Sequence, residues 1–60
     1  MNGWIEVWDR YNGEKTLVSV SHIVCIYPQA NGTNMLLTEE NFVNAKQDYE
    51  EVKRLIGKAS

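Results

Sequence analysis

The hydrophobic period of this 60-residue chain changes once, after Lys46, and that change limits the fold more than any other feature. Before Lys46, apolar and polar residues alternate, which is typical of half-buried β-strands. After it, Tyr49, Val52, Leu55 and Ile56 recur at intervals of three or four, as on one stripe of a helix. The sequence therefore predicts an α+β fold: an antiparallel β-meander of four to five short strands, followed by one C-terminal helix that packs on one face of the sheet.

Turn residues divide the first part of the chain into strands. Asn12-Gly13 predicts a type I′ hairpin turn, Asn31-Gly32 predicts a second hairpin turn, and Glu39-Glu40 turns the chain once more. Pro28 weakens or ends the third strand because it cannot donate to a ladder. We expect strands at about 4–9, 16–20, 23–28, 34–38 and 41–45, and a helix at about 49–56.

Both ends of the helix carry boundary residues. Asp48 can accept a hydrogen bond from the backbone at the helix start, and Glu51, three residues later, completes a pair that is typical of a capping box. Gly57 is placed to terminate the helix. So short a helix would be unstable alone, and we expect its apolar stripe to dock on the sheet.

The length of the chain allows a single domain, over residues 1–60, with a thin core. A domain of this size buries only about 60% of the surface that its unfolded chain exposes. Cys25 is the sole cysteine, which closes the route of a disulfide within one chain. Self-association is another way to stabilise so small a domain, so we expect a homo-oligomer or a complex with another protein.

Charge and hydropathy favour a cytoplasmic protein. The formal net charge is −2, which gives no long-range attraction to nucleic acid or to anionic membranes. The first residues contain neither a basic region nor an apolar run, and no stretch approaches the roughly 18 apolar residues of a membrane span.

The residues that usually perform catalysis or bind metals are too few. His22 and Cys25 are the only soft ligands, whereas a catalytic zinc site needs three protein ligands and a structural site four. No third residue is marked to orient a Cys-His nucleophile pair. The glycines are dispersed, so no phosphate-binding loop exists. The sequence predicts no enzyme, no cofactor, no metal and no small-molecule ligand.

The excess of aromatic and apolar residues is the most informative functional signal. If Ile5 and Val7 face the helix, then Trp4 and Trp8 lie on the opposite face of the sheet. By the same alternation, Cys25 also points away from the helix. The interface candidates are Trp4, Trp8, Tyr27, Leu36 and Phe42. The alternative is that a bulge or a slipped register in strand one places one Trp in the core.

Two functions fit such a face. The first is a self-associating protein-interaction or accessory module, since Trp and Tyr dominate interface energetics. The alternative is a stacking platform for single-stranded nucleic acid. That alternative needs basic groups beside the aromatic residues, and Arg10 and Lys15 are the only ones near strand one or its turn. The interaction module is therefore favoured.

The order of four segments resembles a known family. These segments are Asn12-Gly13-Glu14, then Ser21-His22-Ile23 leading into Ile26, then Leu37-Thr38-Glu39-Glu40, and then Lys46 to Val52. Over residues 5–56 the chain resembles the small flagellar FlbD-like proteins and similar short bacterial or phage-encoded proteins of unknown role. In that family an Asn-Gly pair usually forms the last hairpin, where this chain has Glu39-Glu40. The resemblance implies a small accessory or regulatory protein without known catalysis.

Overall fold

Five strands and one helix follow each other in the predicted order, which confirms the α+β class. The structure is a computed structural model that describes residues 3–59, so Met1, Asn2 and Ser60 of the predicted domain lie outside the described residues. The strands are β1 (Trp4–Trp8), β2 (Lys15–Ser19), β3 (Ile23–Gln29), β4 (Gly32–Leu37) and β5 (Phe42–Ala45), and the helix is α1 (Tyr49–Ala59). A short 3-10 turn occupies Val20–His22, and a tight turn with non-helical backbone angles occupies Thr38–Glu40.

The strands form two antiparallel sheets that meet at one point. β1 pairs with β2, and β3, β4 and β5 form a three-stranded meander. A single bridge between Asp9 and Ala45 joins the end of β1 to the end of β5. Beside it, the Arg10 amide donates to the Asn44 carbonyl at 2.7 Å, and the Lys46 amide donates to the Trp8 carbonyl at 2.7 Å.

The core lies between the helix and the inner faces of the strands. In β1 the exposed fraction alternates strictly, with Ile5 and Val7 buried and their neighbours exposed. Val52 projects from α1 into the same core, as the helical stripe predicts, and α1 packs on β1, β3 and β4. The buried apolar residues are Ile5, Val7, Val18, Met35, Ala45, Val52 and Ala59.

The loop between β1 and β2 differs from the predicted type I′ turn. That turn requires positive φ at Asn12 and Gly13, but within the loop only Gly13 has it, at 73°. The Asp9 carboxylate instead organises a longer loop by accepting hydrogen bonds from the amides of Tyr11 (2.8 Å) and Asn12 (3.2 Å). The Asp9 amide closes the loop on the Glu14 carbonyl at 2.8 Å. The type I′ prediction is therefore wrong, because a side chain sets the turn.

The hairpin between β3 and β4 is present, one residue earlier than predicted. Gln29 pairs with Gly32, so the two loop residues are Ala30 and Asn31 rather than Asn31 and Gly32. Gly32 begins β4 with φ at 149°, and a Cβ there would lie 2.0 Å from the Ala45 carbonyl oxygen. Glycine is needed at this position because β5 passes too close for a side chain.

Glu39 and Glu40 form the turn between β4 and β5, as predicted. Both residues have positive φ, at 62° and 63°. The Asn41 amide donates to the Thr38 carbonyl at 3.4 Å, and the Leu37 amide donates to the Asn41 carbonyl at 2.7 Å. Two central residues with positive φ inside a hairpin define a type I′ turn. Here glutamates occupy positions that Asn and Gly normally fill.

The start of α1 agrees with the sequence. The Asp48 carboxylate accepts a hydrogen bond from the Glu51 amide at 2.9 Å, so Asp48 is the N-cap residue. The Glu51 carboxylate accepts from the Arg54 guanidinium, one turn further on. That hydrogen bond lowers the pKa of Glu51 below its usual value. Of the predicted capping pair, Asp48 therefore has its expected backbone partner, whereas the Glu51 side chain bonds to Arg54 instead.

The end of α1 lies beyond the predicted stop. Gly57 is inside the helix, which continues to Ala59. Ala59 is buried, and its carbonyl accepts a hydrogen bond from the Gly3 amide at 2.8 Å. The contact with Gly3, just before β1, thus stabilises the last turn of α1, although Gly57 favours an earlier end of the helix. The predicted termination at Gly57 is wrong.

Candidate functional site

The outer face of the β1–β2 sheet carries three large apolar side chains, which we call the hairpin surface: Trp4, Trp8 and Leu17. Each Trp is 42% exposed and Leu17 is 53% exposed. Leu17 pairs across the ladder with Glu6, so it lies diagonally between the two Trp residues. β1 has a regular register against β2, and neither Trp belongs to the core.

A cation lies against one edge of the hairpin surface. The Lys15 ammonium is 5.3 Å from the centroid of the Trp8 ring, and it is 3.8 Å from a carboxylate oxygen of Glu6. All three side chains are solvent-exposed, so each contact contributes little free energy. Glu6 nevertheless places a negative charge beside the cation that lies against Trp8.

A second group of apolar side chains lies on the outer face of the other sheet, and we call it the three-strand surface: Tyr27, Leu36 and Phe42. In the ladder Leu36 stands between Cys25 of β3 and Phe42 of β5. Phe42 is 60% exposed, Tyr27 is exposed and Leu36 is half-buried. The predicted side of the sheet is therefore correct for all three residues.

A hydrogen bond fixes the position of Tyr27 on this surface. The Cys25 thiol donates to the Tyr27 hydroxyl at 3.2 Å. The hydrogen bond with Cys25, followed by the Coulombic effect of the same residue, raises the pKa of Tyr27 above its usual value. Tyr27 thus presents a hydroxyl and an aromatic ring on the three-strand surface.

Polar residues occupy the junction between the two surfaces. The Arg10 guanidinium donates to the Gln29 side-chain oxygen at 3.2 Å, and the Asn34 amide donates to the Asn44 side-chain oxygen at 3.2 Å. Arg10 is the second residue after β1, and its amide donates to the Asn44 carbonyl of β5. The five interface candidates from the sequence therefore form two apolar surfaces on the outer side of the strands.

Three exposed apolar residues were absent from the sequence-based candidates. Leu17 could have been found by extending the alternation of β1 across the hairpin to β2. Val24 is exposed because the ladder of β3 is irregular between Ile23 and Cys25, and the sequence carries no signal for that bulge. Tyr11 lies exposed in the loop that Asp9 organises.

His22 and Cys25, the two soft ligand types in the sequence, have different surroundings. His22 is exposed in the 3-10 turn before β3, and Cys25 is half-buried beside Tyr27. Among residues 3–59, no three His, Cys, Asp or Glu side chains lie together where they could hold one ion. The same part of the chain contains no detected cavity.

α1 is the one long helix among the described residues, and neither its length nor its hydropathy would let it cross a membrane. The FlbD-like resemblance stays a prediction from the sequence. Comparisons of this chain with known protein families, with curated proteins and with solved structures find no match.

Proposed function

We propose that this protein is a non-enzymatic protein-interaction module that self-associates and acts as an accessory or regulatory protein. The exposure of Trp4, Trp8 and Leu17 together on the outer face of β1 and β2 carries this proposal. Exposed apolar patches that include Trp are typical of protein-binding sites. A cytoplasmic location and kinship with FlbD-like proteins are part of the proposal.

The size of the exposed rings supports burial against a partner. A Trp side chain can bury up to about 250 Å², so an exposed fraction of 42% leaves roughly 100 Å² on each of the two Trp residues. At about 25 cal/mol per Å², burial of both would contribute roughly 5 kcal/mol. Association costs about 4–15 kcal/mol in lost motional freedom. The two rings therefore need further contacts, and Leu17 is the nearest that the hairpin surface offers.

A second copy of the chain is the simplest partner. Most soluble oligomers are homo-oligomers with closed symmetry, and two-fold dimers are the commonest. The protein is only 60 residues long, and one helix covers one side of its strands. Burial of outer surface against a copy would enlarge a core that is otherwise small.

Single-stranded nucleic acid is the competing ligand, because bases stack on exposed Trp and Tyr. Electrostatics disfavours it. Lys15, the cation at Trp8, is engaged with Glu6, while Lys53 and Arg54 on the helix pair with Glu50 and Glu51. The net charge of −2 gives no compensating field.

Light scattering over a range of protein concentrations tests the proposal. We expect the parent to form a dimer or larger species, and Trp8→Arg to weaken it at least tenfold without lowering its folded content. The matched control is Tyr11→Arg, which adds the same charge and removes an aromatic ring outside the hairpin surface. Weakening by Trp8→Arg should depend little on salt, since the lost contact is apolar.

Three results would contradict the proposal. One is a parent that stays monomeric at high concentration. Another is a monomeric parent that unfolds when Trp8 is replaced by Arg, which would make Trp8 a structural residue. The third is salt-sensitive binding of a single-stranded oligonucleotide that Trp8→Arg abolishes, which would favour the nucleic-acid alternative.

A further inference from the structure

The phase of the β1–β2 ladder determines which backbone groups of β2 face outward. The Asp9 amide donates to the Glu14 carbonyl, and the Val20 amide donates to the Gly3 carbonyl. Hydrogen-bonded pairs recur every second residue in an antiparallel ladder. Residues 16 and 18 of β2 therefore bond to β1, whereas residues 15, 17 and 19 direct their amides and carbonyls to the other edge.

The outer edge of β2 is regular and open. In the described part of the chain, no hydrogen bond joins the backbone of residues 15–19 to an element other than β1. β2 contains neither Pro nor Gly, and its pairing with β1 has no bulge. Thr16 and Val18 are β-branched residues that favour an extended backbone. Leu17, at the centre of the edge, is 53% exposed.

The outer edge of β3 is different. The Leu37 amide donates to the Asn41 carbonyl, so residues 33, 35 and 37 of β4 bond to β5 and residues 34 and 36 of β4 bond to β3. Their partners in β3 are residues 27 and 25, which leaves the amides and carbonyls of residues 24, 26 and 28 directed to the outer edge. Pro28 has no amide to donate there, and the ladder is bulged between Ile23 and Cys25. Proline and bulges are devices that block edge-to-edge pairing. β2 has neither device.

We propose that two copies of this chain pair through the outer edge of β2, antiparallel and centred on Leu17. The inference rests on the proposed self-association and specifies its geometry. In this register Leu17 stands opposite Leu17 of the second copy, and Lys15 stands opposite Ser19 of the second copy. The edge is therefore complementary to itself, because no like charges meet and up to six backbone hydrogen bonds form.

This pairing adds backbone contacts beside the hairpin surface, while the Trp rings stay on the outer strands of the joined sheet, where they remain free to be buried by face-to-face contact. The two hairpins become one four-stranded sheet, and Leu17 is partly covered by its counterpart. Across the junction, one row of paired residues on the four strands consists of Trp8 and Lys15 of one copy, then Ser19 and Trp4 of the other. The hairpin surfaces of the two copies thus join into one aromatic surface.

Disulfide cross-linking tests the register. Leu17→Cys is made in a Cys25→Ser background and oxidised with glutathione disulfide under conditions in which light scattering shows the oligomer. Paired residues in this register have Cα atoms about 5.5 Å apart, within disulfide range. The matched control is Lys15→Cys in the same background, whose two copies would be about 14 Å apart. We expect Leu17→Cys to cross-link at least tenfold faster.

Hydrogen exchange of the parent gives an independent test that needs no substitution. The Leu17 amide should exchange at least tenfold more slowly at high protein concentration than at low concentration. The Val24 amide, on the outer edge of β3, should show no such dependence. This measurement decides the matter if the cysteine variants fail to fold.

The outcomes separate the two proposals. An oligomer in which Leu17→Cys and Lys15→Cys cross-link equally slowly, and in which Leu17 exchange is independent of concentration, overturns pairing through β2 but leaves self-association standing. A parent that is monomeric throughout overturns both. Concentration-independent exchange together with binding of an extended segment of another protein would assign the edge to a different partner.

Discussion

The turn at Glu39 and Glu40 should limit the stability of this domain, and replacing it with Asn-Gly should stabilise the fold. Both residues have positive φ, at 62° and 63°. A left-handed conformation costs an ordinary L-residue about 1–2 kcal/mol. Asn tolerates that region and Gly adopts it freely, so Glu39→Asn with Glu40→Gly removes most of this cost.

The expected gain is a difference of two terms. Gly at position 40 also increases the conformational entropy of the unfolded chain, which reduces the gain in stability by about 0.4–1 kcal/mol. The net stabilisation should therefore be about 1–2 kcal/mol for the double variant. In a domain of this size each kcal/mol shifts the Tm by roughly 4–8 °C. We expect a rise in Tm of about 4–16 °C.

Circular-dichroism melts at one fixed, low protein concentration measure this effect without a contribution from association. The control is Glu39→Gln with Glu40→Gln, which removes both negative charges but keeps side chains that dislike positive φ. A control that matched the Asn-Gly variant would show that charge repulsion, and not backbone strain, destabilises the turn. An unchanged Tm in the Asn-Gly variant would refute the turn geometry itself.

Three further predictions concern the core, a close backbone approach and metals. Val52→Asp should largely unfold the domain, because Val52 is fully buried and an unpaired charge there costs several kcal/mol against a small total stability. A variant that melted at the same temperature as the parent would mean that α1 does not dock on the sheets. Gly32→Ala should lower the Tm, because its Cβ would clash with the Ala45 carbonyl of β5. Gly57→Ala, whose Cβ would meet nothing within 4 Å, should instead raise the free energy of unfolding by about 1 kcal/mol. Equal shifts in Tm for the two variants would contradict the close approach at Gly32. A strong chelator should leave the melt unchanged, and a fall in Tm that zinc reversed would reveal a site shared between subunits.

The sequence by itself determined the features that depend on local periodicity. Alternation in β1 correctly placed Ile5 and Val7 inside and both Trp residues outside, because neighbouring side chains of a strand point to opposite faces. Asp48 was identified as the N-cap because its carboxylate reaches an amide only three residues away. The order of the elements followed from the same local signals.

Contacts between distant residues decided the rest. The helix continues past Gly57 because Ala59 is buried and its carbonyl accepts a hydrogen bond from the Gly3 amide. The bridge from Asp9 to Ala45, which joins the two sheets, has no local signal at all. Nor does the division of the aromatic residues into two surfaces. Each of these features depends on free energy gained where residues far apart in the chain meet, and only the tertiary structure brings them together.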